Sequence, residues 1–169
     1  MVSLLVSCSG DETSKIVKKW DGRSLTISNN LQPLNPKDSS YIALFKDERP
    51  KIVLCTDSMR CGPCQLKLNV WDEMIKKYRS SVDFIFVIYP RNRAEILAYS
   101  KKINFKYPIL IDYNDEMEAM NKLPEDAYFR CFLLDRNKNV LLIGNPTYND
   151  NLMKLYTETL DSLSNSVNK

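Results

Sequence analysis

Apolar residues in this chain fall into a few short, dense runs, joined by stretches in which they recur at helical spacing. Ile52-Val53-Leu54-Cys55-Thr56 is continuous, with Pro50 before it and Asp57-Ser58 after it, and predicts a strand covered on both faces. From Pro63 to about Arg79 the positions Leu66, Val70, Trp71, Met74, Ile75 and Tyr78 repeat with a helical period. Lys67, Asp72, Glu73, Lys76 and Lys77 are left for solvent, so a helix is predicted to open at residue 63. Residues 84–89 form a second buried run, and 91–102 read as the helix that follows it. Residues 108–112 predict a third short strand, and 114–122 a short helix with Met117 and Met120 inward. Residues 129–134 and 140–143 flank the turn Asp135-Arg136-Asn137-Lys138 and predict an antiparallel hairpin. Residues 149–163 close the chain as an amphipathic helix. Strands alternating with helices imply an α/β architecture with parallel pairing at its centre.

The first fifty residues are less regular. Residues 9–19 are polar and charged and read as a flexible tether. Trp20-Asp21-Gly22-Arg23 is a turn signal ahead of the alternating residues 24–28, which suggest a short strand or hairpin arm. Residues 29–50, with Pro33, Pro36 and Pro50, read as a connection in which 41–45 pack or form a strand.

Composition narrows the chemistry. At 169 residues the chain suits one domain with extra segments, and 44% hydrophobic with 27% charged residues is an ordinary globular balance. The net charge is +3, with no basic stripe interleaved with aromatics, so nucleic acid is not an expected partner. No run after the first residues approaches the roughly 20 apolar positions needed to span a bilayer. Histidine is absent, which excludes Ser-His and Cys-His nucleophiles and any His-ligated zinc or copper. Five cysteines remain: Cys8, Cys55, Cys61, Cys64 and Cys131.

Cys61-Gly62-Pro63-Cys64 lies between the first buried strand and the amphipathic helix. Two cysteines three apart at a helix start can close a small disulfide ring, and the free N–H groups and dipole of the helix N-terminus favour a thiolate there. Cys61 is the expected nucleophile and Cys64, one turn further in, the resolving thiol. Pro63 suits the first helical turn and stiffens the ring. No bound metal or other cofactor is expected beyond this redox-active pair.

The first residues carry a separate signal. Leu5-Val6-Ser7-Cys8, followed by the polar run 9–15, resembles the lipobox of bacterial lipoproteins. The resemblance implies a lipidated Cys8, a membrane anchor, and a place in the bacterial cell envelope, facing the periplasm or on the outer membrane. Only seven residues precede Cys8, and none is Lys or Arg. The alternative is an ordinary terminus with a stray cysteine.

The order strand, Cys-Gly-Pro-Cys, long helix, strand, helix, hairpin, final helix resembles the thioredoxin family over about residues 50–163. More narrowly it is similar to the envelope-anchored thioredoxin-like redoxins of Bacteroides-type bacteria. The implied fold has three layers around a mixed sheet, an inserted strand–helix segment before the hairpin, and an N-terminal extension. The chain then divides into a truncated signal or lipobox remnant (1–8), the tether (9–19), the extension (20–50), a thioredoxin-like domain (51–164) and a C-terminal tail (165–169).

Three positions depart from the family pattern. Arg60 stands where Trp usually precedes the first cysteine, and a cation there should favour the Cys61 thiolate and attract acidic partners. Cys55 occupies the place of the buried acid, leaving Asp57 as the nearest carboxylate in sequence. Phe129 or Arg130 stands at the place of the cis-proline, and Pro124 is too early to replace it, so a trans peptide is expected there.

The implied activity is thiol–disulfide exchange on envelope proteins, in the reducing direction, with an envelope electron donor. Two alternatives use the same residues. One is a non-catalytic binding module. The other is a soft-metal site, for copper or a cluster, built from Cys61 and Cys64 with Cys55, Cys131 or Met59. The residues before Cys61 do not supply a peroxidase pattern.

Overall fold

The computed structural model describes residues 8–46, 48–56 and 66–167. The centre of the molecule follows from the two most apolar runs. Strand β2 (Lys51–Cys55) and strand β3 (Asp83–Ile88) are buried at every position, and pair in parallel with Val53 opposite Ile85. Strand β4 (Ile109–Ile111) continues the parallel set beside β3. Strands β5 (Cys131–Leu134) and β6 (Val140–Ile143) form the expected hairpin, with β5 antiparallel to β2. A two-residue strand, β1 (Gln32–Pro33), pairs antiparallel with β4. Among the described residues the sheet therefore runs β1-β4-β3-β2-β5-β6, mixed as expected.

Helices cover both faces. Helix α3 (Leu68–Tyr78) connects β2 to β3 and buries Leu68, Trp71, Met74, Ile75 and Tyr78, one stripe at helical spacing. Trp71 meets the edges of Phe84 and Phe86 at 6.3 and 5.8 Å. Helix α4 (Arg93–Lys102) connects β3 to β4, and helix α6 (Asp150–Val167) adds Tyr156 and Leu160 to the same layer. The opposite face is closed by helix α1 (Cys8–Trp20), the segment after it, and helix α5 (Glu116–Asn121), through Trp20, Leu25, Leu31 and Met117. At the amino ends of β2 and β3 a buried ion pair, Lys51 to Asp83 at 2.8 Å, is joined by Arg49.

Several expectations are corrected. Residues 9–19, read as a tether, are helical within α1. Ile16 and Trp20, one turn apart, pack on the sheet, where Trp20 lies 4.9 Å from the Phe132 ring. Residues 24–28 make only one bridge, Ser24 to Asn139, because the amide of Asn121 takes both the N–H and the carbonyl of Thr26. Residues 41–46 form a short helix, α2 (Tyr41–Lys46), that buries Leu44. Met117 is inward but Met120 is 49% exposed. The last helix runs past residue 163 to Val167, into the expected tail.

Candidate functional site

The three parallel strands end on one side of the sheet, at Cys55, Ile88 and Ile111. In open α/β sheets this is the side on which sites are built. The segment carrying Cys61 and Cys64 leaves from there. Asp57, Met59, Arg60, Cys61, Gly62, Pro63 and Cys64 all lie outside the described residues. Its two flanks are described, and both are anchored.

On the entering side the Thr56 N–H donates to the carbonyl of Val87 at 2.9 Å, and Thr56 is buried. On the leaving side Leu66 and Leu68 are both fully buried, with Lys67 between them in the left-handed region at φ 42°, ψ 48°. Lys67 Nζ donates to the Thr147 carbonyl at 2.9 Å and sits 3.6 Å from the centroid of the Tyr148 ring. The helix expected from residue 63 therefore does not run unbroken through residue 67. A left-handed residue breaks the N–H(i) to C=O(i−4) ladder, and α3 starts at Leu68.

Both residues expected at the family's proline position are described. Phe129 ends a 3-10 turn (Ala127–Phe129) capped by the Asp126 carboxylate, which accepts from the Tyr128 N–H at 3.0 Å. All peptide bonds among the described residues are trans. Arg130 directly precedes β5, and its carbonyl accepts the Cys55 N–H at 2.9 Å. Its side chain is buried, donating from Nε to the Pro124 carbonyl at 2.6 Å and pairing with Glu118 at 3.1 Å.

Around this arginine the carboxyl ends of β2, β3 and β4 collect polar groups that the sequence did not single out. The Asp112 carboxylate accepts the N–H groups of Glu116 and Met117 at 3.0 and 2.8 Å, fixing the start of α5. The Tyr89 hydroxyl donates to Asp115. Burial and that carboxylate together push the Tyr89 hydroxyl's pKa up. The gap these groups enclose, about 10 Å³, holds at most one water. They form a supporting layer, not a ligand pocket. The sequence signal for it was Asp112, a carboxylate just after a strand and just before a helix.

Cys55 sits in this layer. Burial pushes its thiol up to about 12, against the opposing pull of the Arg130 guanidinium, with Asp112 and Glu118 adding to the rise. A thiol so held does not exchange protons near neutral pH as a carboxylate would. Cys131 is fully buried on the other face of the sheet, its Sγ 3.9 Å from the Tyr156 hydroxyl, and burial raises its pKa also. Cys55 and Cys131 belong to opposite layers and cannot share a metal. Among the described residues no cluster of three or more Cys, Asp or Glu could hold one.

A search of solved structures finds related folds. A protein assigned as a protein disulfide isomerase from Bacteroides thetaiotaomicron superposes with a TM-score of 0.58 at 18% identity, over 83% of this chain and 90% of that one. A protein from Chlorobium tepidum assigned as the thiol:disulfide interchange protein DsbE gives 0.54 at 18% identity, over 70% and 84%. The fold is thioredoxin-like. A thioredoxin-like protein of Porphyromonas gingivalis agrees, at 0.51 and 17% identity over 79% and 87%. No protein-family model matches the chain, and no curated protein sequence does. In sequence, the Cys61–Cys64 segment joins β2 to α3.

Proposed function

We propose that this protein is a thiol–disulfide oxidoreductase. The observation that carries the reading is positional: in a thioredoxin-like sheet, Cys61-Gly62-Pro63-Cys64 occupies the connection from the carboxyl end of β2 to α3. In the reducing direction the Cys61 thiolate attacks one sulfur of a substrate disulfide, forming a mixed disulfide and expelling the substrate's other sulfur as a thiolate. The Cys64 thiolate then attacks the Cys61 sulfur. The second substrate thiol leaves, and a Cys61–Cys64 disulfide remains for a dithiol donor to reduce. The pair itself carries the two electrons, so no bound cofactor is required.

The same reading puts the protein outside the cytoplasm, acting on disulfides of envelope proteins with an envelope electron donor. Cys8, the first residue of α1, is then the lipid anchor at the membrane end of that helix. Among the described residues no helix is long and apolar enough to cross a membrane.

The test is reduction of insulin disulfides with a recycling reductant. Clear turnover by the full chain, its loss in Cys61→Ser, and accumulation of mixed disulfides through Cys61 in Cys64→Ser are expected. A rate no higher than that of Cys61→Ser would overturn the reading. That result would favour a binding module, to which the trans peptide at Arg130 and the inert Cys55 thiol point.

A further inference from the structure

The N-terminal extension does not close against the sheet edge it joins. Between residues 34–38 and α4 a cavity of about 450 Å³ remains, floored by Leu34, Leu97, Phe105 and Tyr107. A second, of about 400 Å³, lies beyond β1 and is lined by Pro33, Tyr41, Ile42 and Tyr113. The two share Pro36, Asp38 and Arg93 and so form one trough. Each volume is in the ~300–1,000 Å³ range of ligand pockets. Ile42 and Tyr113, 43% and 54% exposed, leave apolar surface at its mouth.

The charge on this trough is mostly positive. Lys37, Arg93, Lys101 and Lys106 line it, and none of their side chains has a hydrogen-bond or ion-pair partner among the described residues. The single carboxylate, Asp38, is occupied by the N–H and hydroxyl of Ser40 at 2.9 and 2.5 Å. Four cations against one carboxylate, over an aromatic and aliphatic floor, are complementary to a chain that alternates carboxylates with apolar side chains.

The topology gives the trough a direction. Helix α4 leaves the carboxyl end of β3, so Arg93 lies at that end of the sheet and Lys101 and Lys106 at the other. From Arg93 to Lys101 the helix rises about 12 Å, the reach of about four extended residues. Strand β4 is two places from β2 in the sheet, about 10 Å, or three more extended residues.

We infer that this trough binds an extended acidic segment of the substrate protein, lying a few residues from the disulfide that Cys61 attacks. The inference rests on the oxidoreductase reading for the disulfide, and on the trough alone for the acidic segment.

Cysteine-free peptides of about eight residues, ~26 Å when extended, separate the two. One alternates Glu with Leu and Tyr, and its counterpart carries Lys in place of Glu. Both are titrated against the full chain by fluorescence anisotropy. The acidic peptide should bind at least about tenfold more tightly, and its binding should weaken as salt shortens the Debye length from about 30 to about 3 Å. Arg93→Glu with Lys101→Glu should abolish the preference, while Arg93→Lys with Lys101→Arg should retain it. Equal binding of the two peptides, or a preference that survives the charge reversal, overturns the inference. So does displacement by inorganic phosphate as effective as by free peptide, which would mark a simple anion site. Reduction of hydroxyethyl disulfide, small and neutral, reports on Cys61 and Cys64 separately. It should be unchanged by the charge reversal, and its absence beside intact acidic-peptide binding would overturn the oxidoreductase reading alone.

Discussion

The backbone N–H of Cys55 donates to the carbonyl of Arg130 at 2.9 Å. Two of the three departures from the thioredoxin pattern, Cys55 at the place of the buried acid and Arg130, one of the two candidates for the place of the cis-proline, are therefore bonded to each other. The Arg130 side chain, beside the Cys55 thiol, turns to Glu118 and the Pro124 carbonyl.

Removing that guanidinium should cost stability. Arg130→Met keeps most of the volume but leaves the Pro124 carbonyl without its donor and the Glu118 carboxylate, 34% exposed, without its cation. The expected loss is about 1–3 kcal/mol. Arg130→Lys, unable to serve both partners, should fall between. Urea unfolding midpoints at constant slope check this, and a loss below about 0.5 kcal/mol for Arg130→Met would show that the arginine is not structurally coupled to α5.

Cys55 makes a pH-dependent contribution whose sign follows from its burial. Its thiol titrates near 9 when unfolded and is pushed to about 12 in the fold. Below pH 9 both states hold the proton and the full contribution is present. Between pH 9 and about 12 the unfolded chain releases the proton first, so stability falls as pH rises, by up to about 1.4 kcal/mol per unit. Cys55→Ala should show a shallower alkaline loss than the parent chain in denaturant titrations over that window. Cys131 and Tyr156, also raised by burial, should leave some alkaline loss in the variant. A parent slope matched by the variant would mean that Cys55 is not held as a buried thiol.

The elements most legible in the sequence were those whose partners are dense and uniform. Strands β2 and β3 are continuous apolar runs because both faces are covered, and α3 and α6 show a helical stripe because one face is. The edge strand β1 was not legible, since it is two residues long and contains Pro33, and its pairing depends on β4. Helix α1 was hidden because its anchors are sparse, and Trp20 is held by Phe132, remote in sequence. The run at residues 41–45 was ambiguous in the ordinary way of short apolar stretches. At the site, Cys55 and Arg130 could be located, but not the Asp112 and Glu118 contacts, which depend on where α5 docks. The break at Lys67 had no local signal at all.

That break should be measurable. A left-handed lysine costs on the order of 1–2 kcal/mol, and the contacts to Tyr148 and Thr147 return about that much. Lys67→Ala keeps the strained backbone and loses both contacts, whereas Lys67→Gly loses the contacts but relieves the backbone. The alanine variant should be the less stable by about 1 kcal/mol. A double-mutant cycle of Lys67→Ala with Tyr148→Leu should give a coupling of about 0.5–1 kcal/mol. Equal stability of the alanine and glycine variants would show that residue 67 is not left-handed in solution.

Gly144 is the position where the hairpin is least able to accept a side chain. Its φ is +113°, its N–H donates to the Cys131 carbonyl at 2.8 Å, and its own carbonyl accepts the Tyr156 hydroxyl at 3.0 Å. A Cβ there would stand 3.0 Å from a methyl of Leu152 and 3.3 Å from the Tyr128 ring. Backbone strain and overpacking together should cost Gly144→Ala about 2–4 kcal/mol. Leu152→Ala in the same chain removes only the nearer clash. The double variant should therefore be less unstable than the sum of the single ones, yet still below Leu152→Ala by the backbone share of about 1–2 kcal/mol. Full recovery to the level of Leu152→Ala would assign the whole effect to packing and none to the conformation that only glycine takes readily.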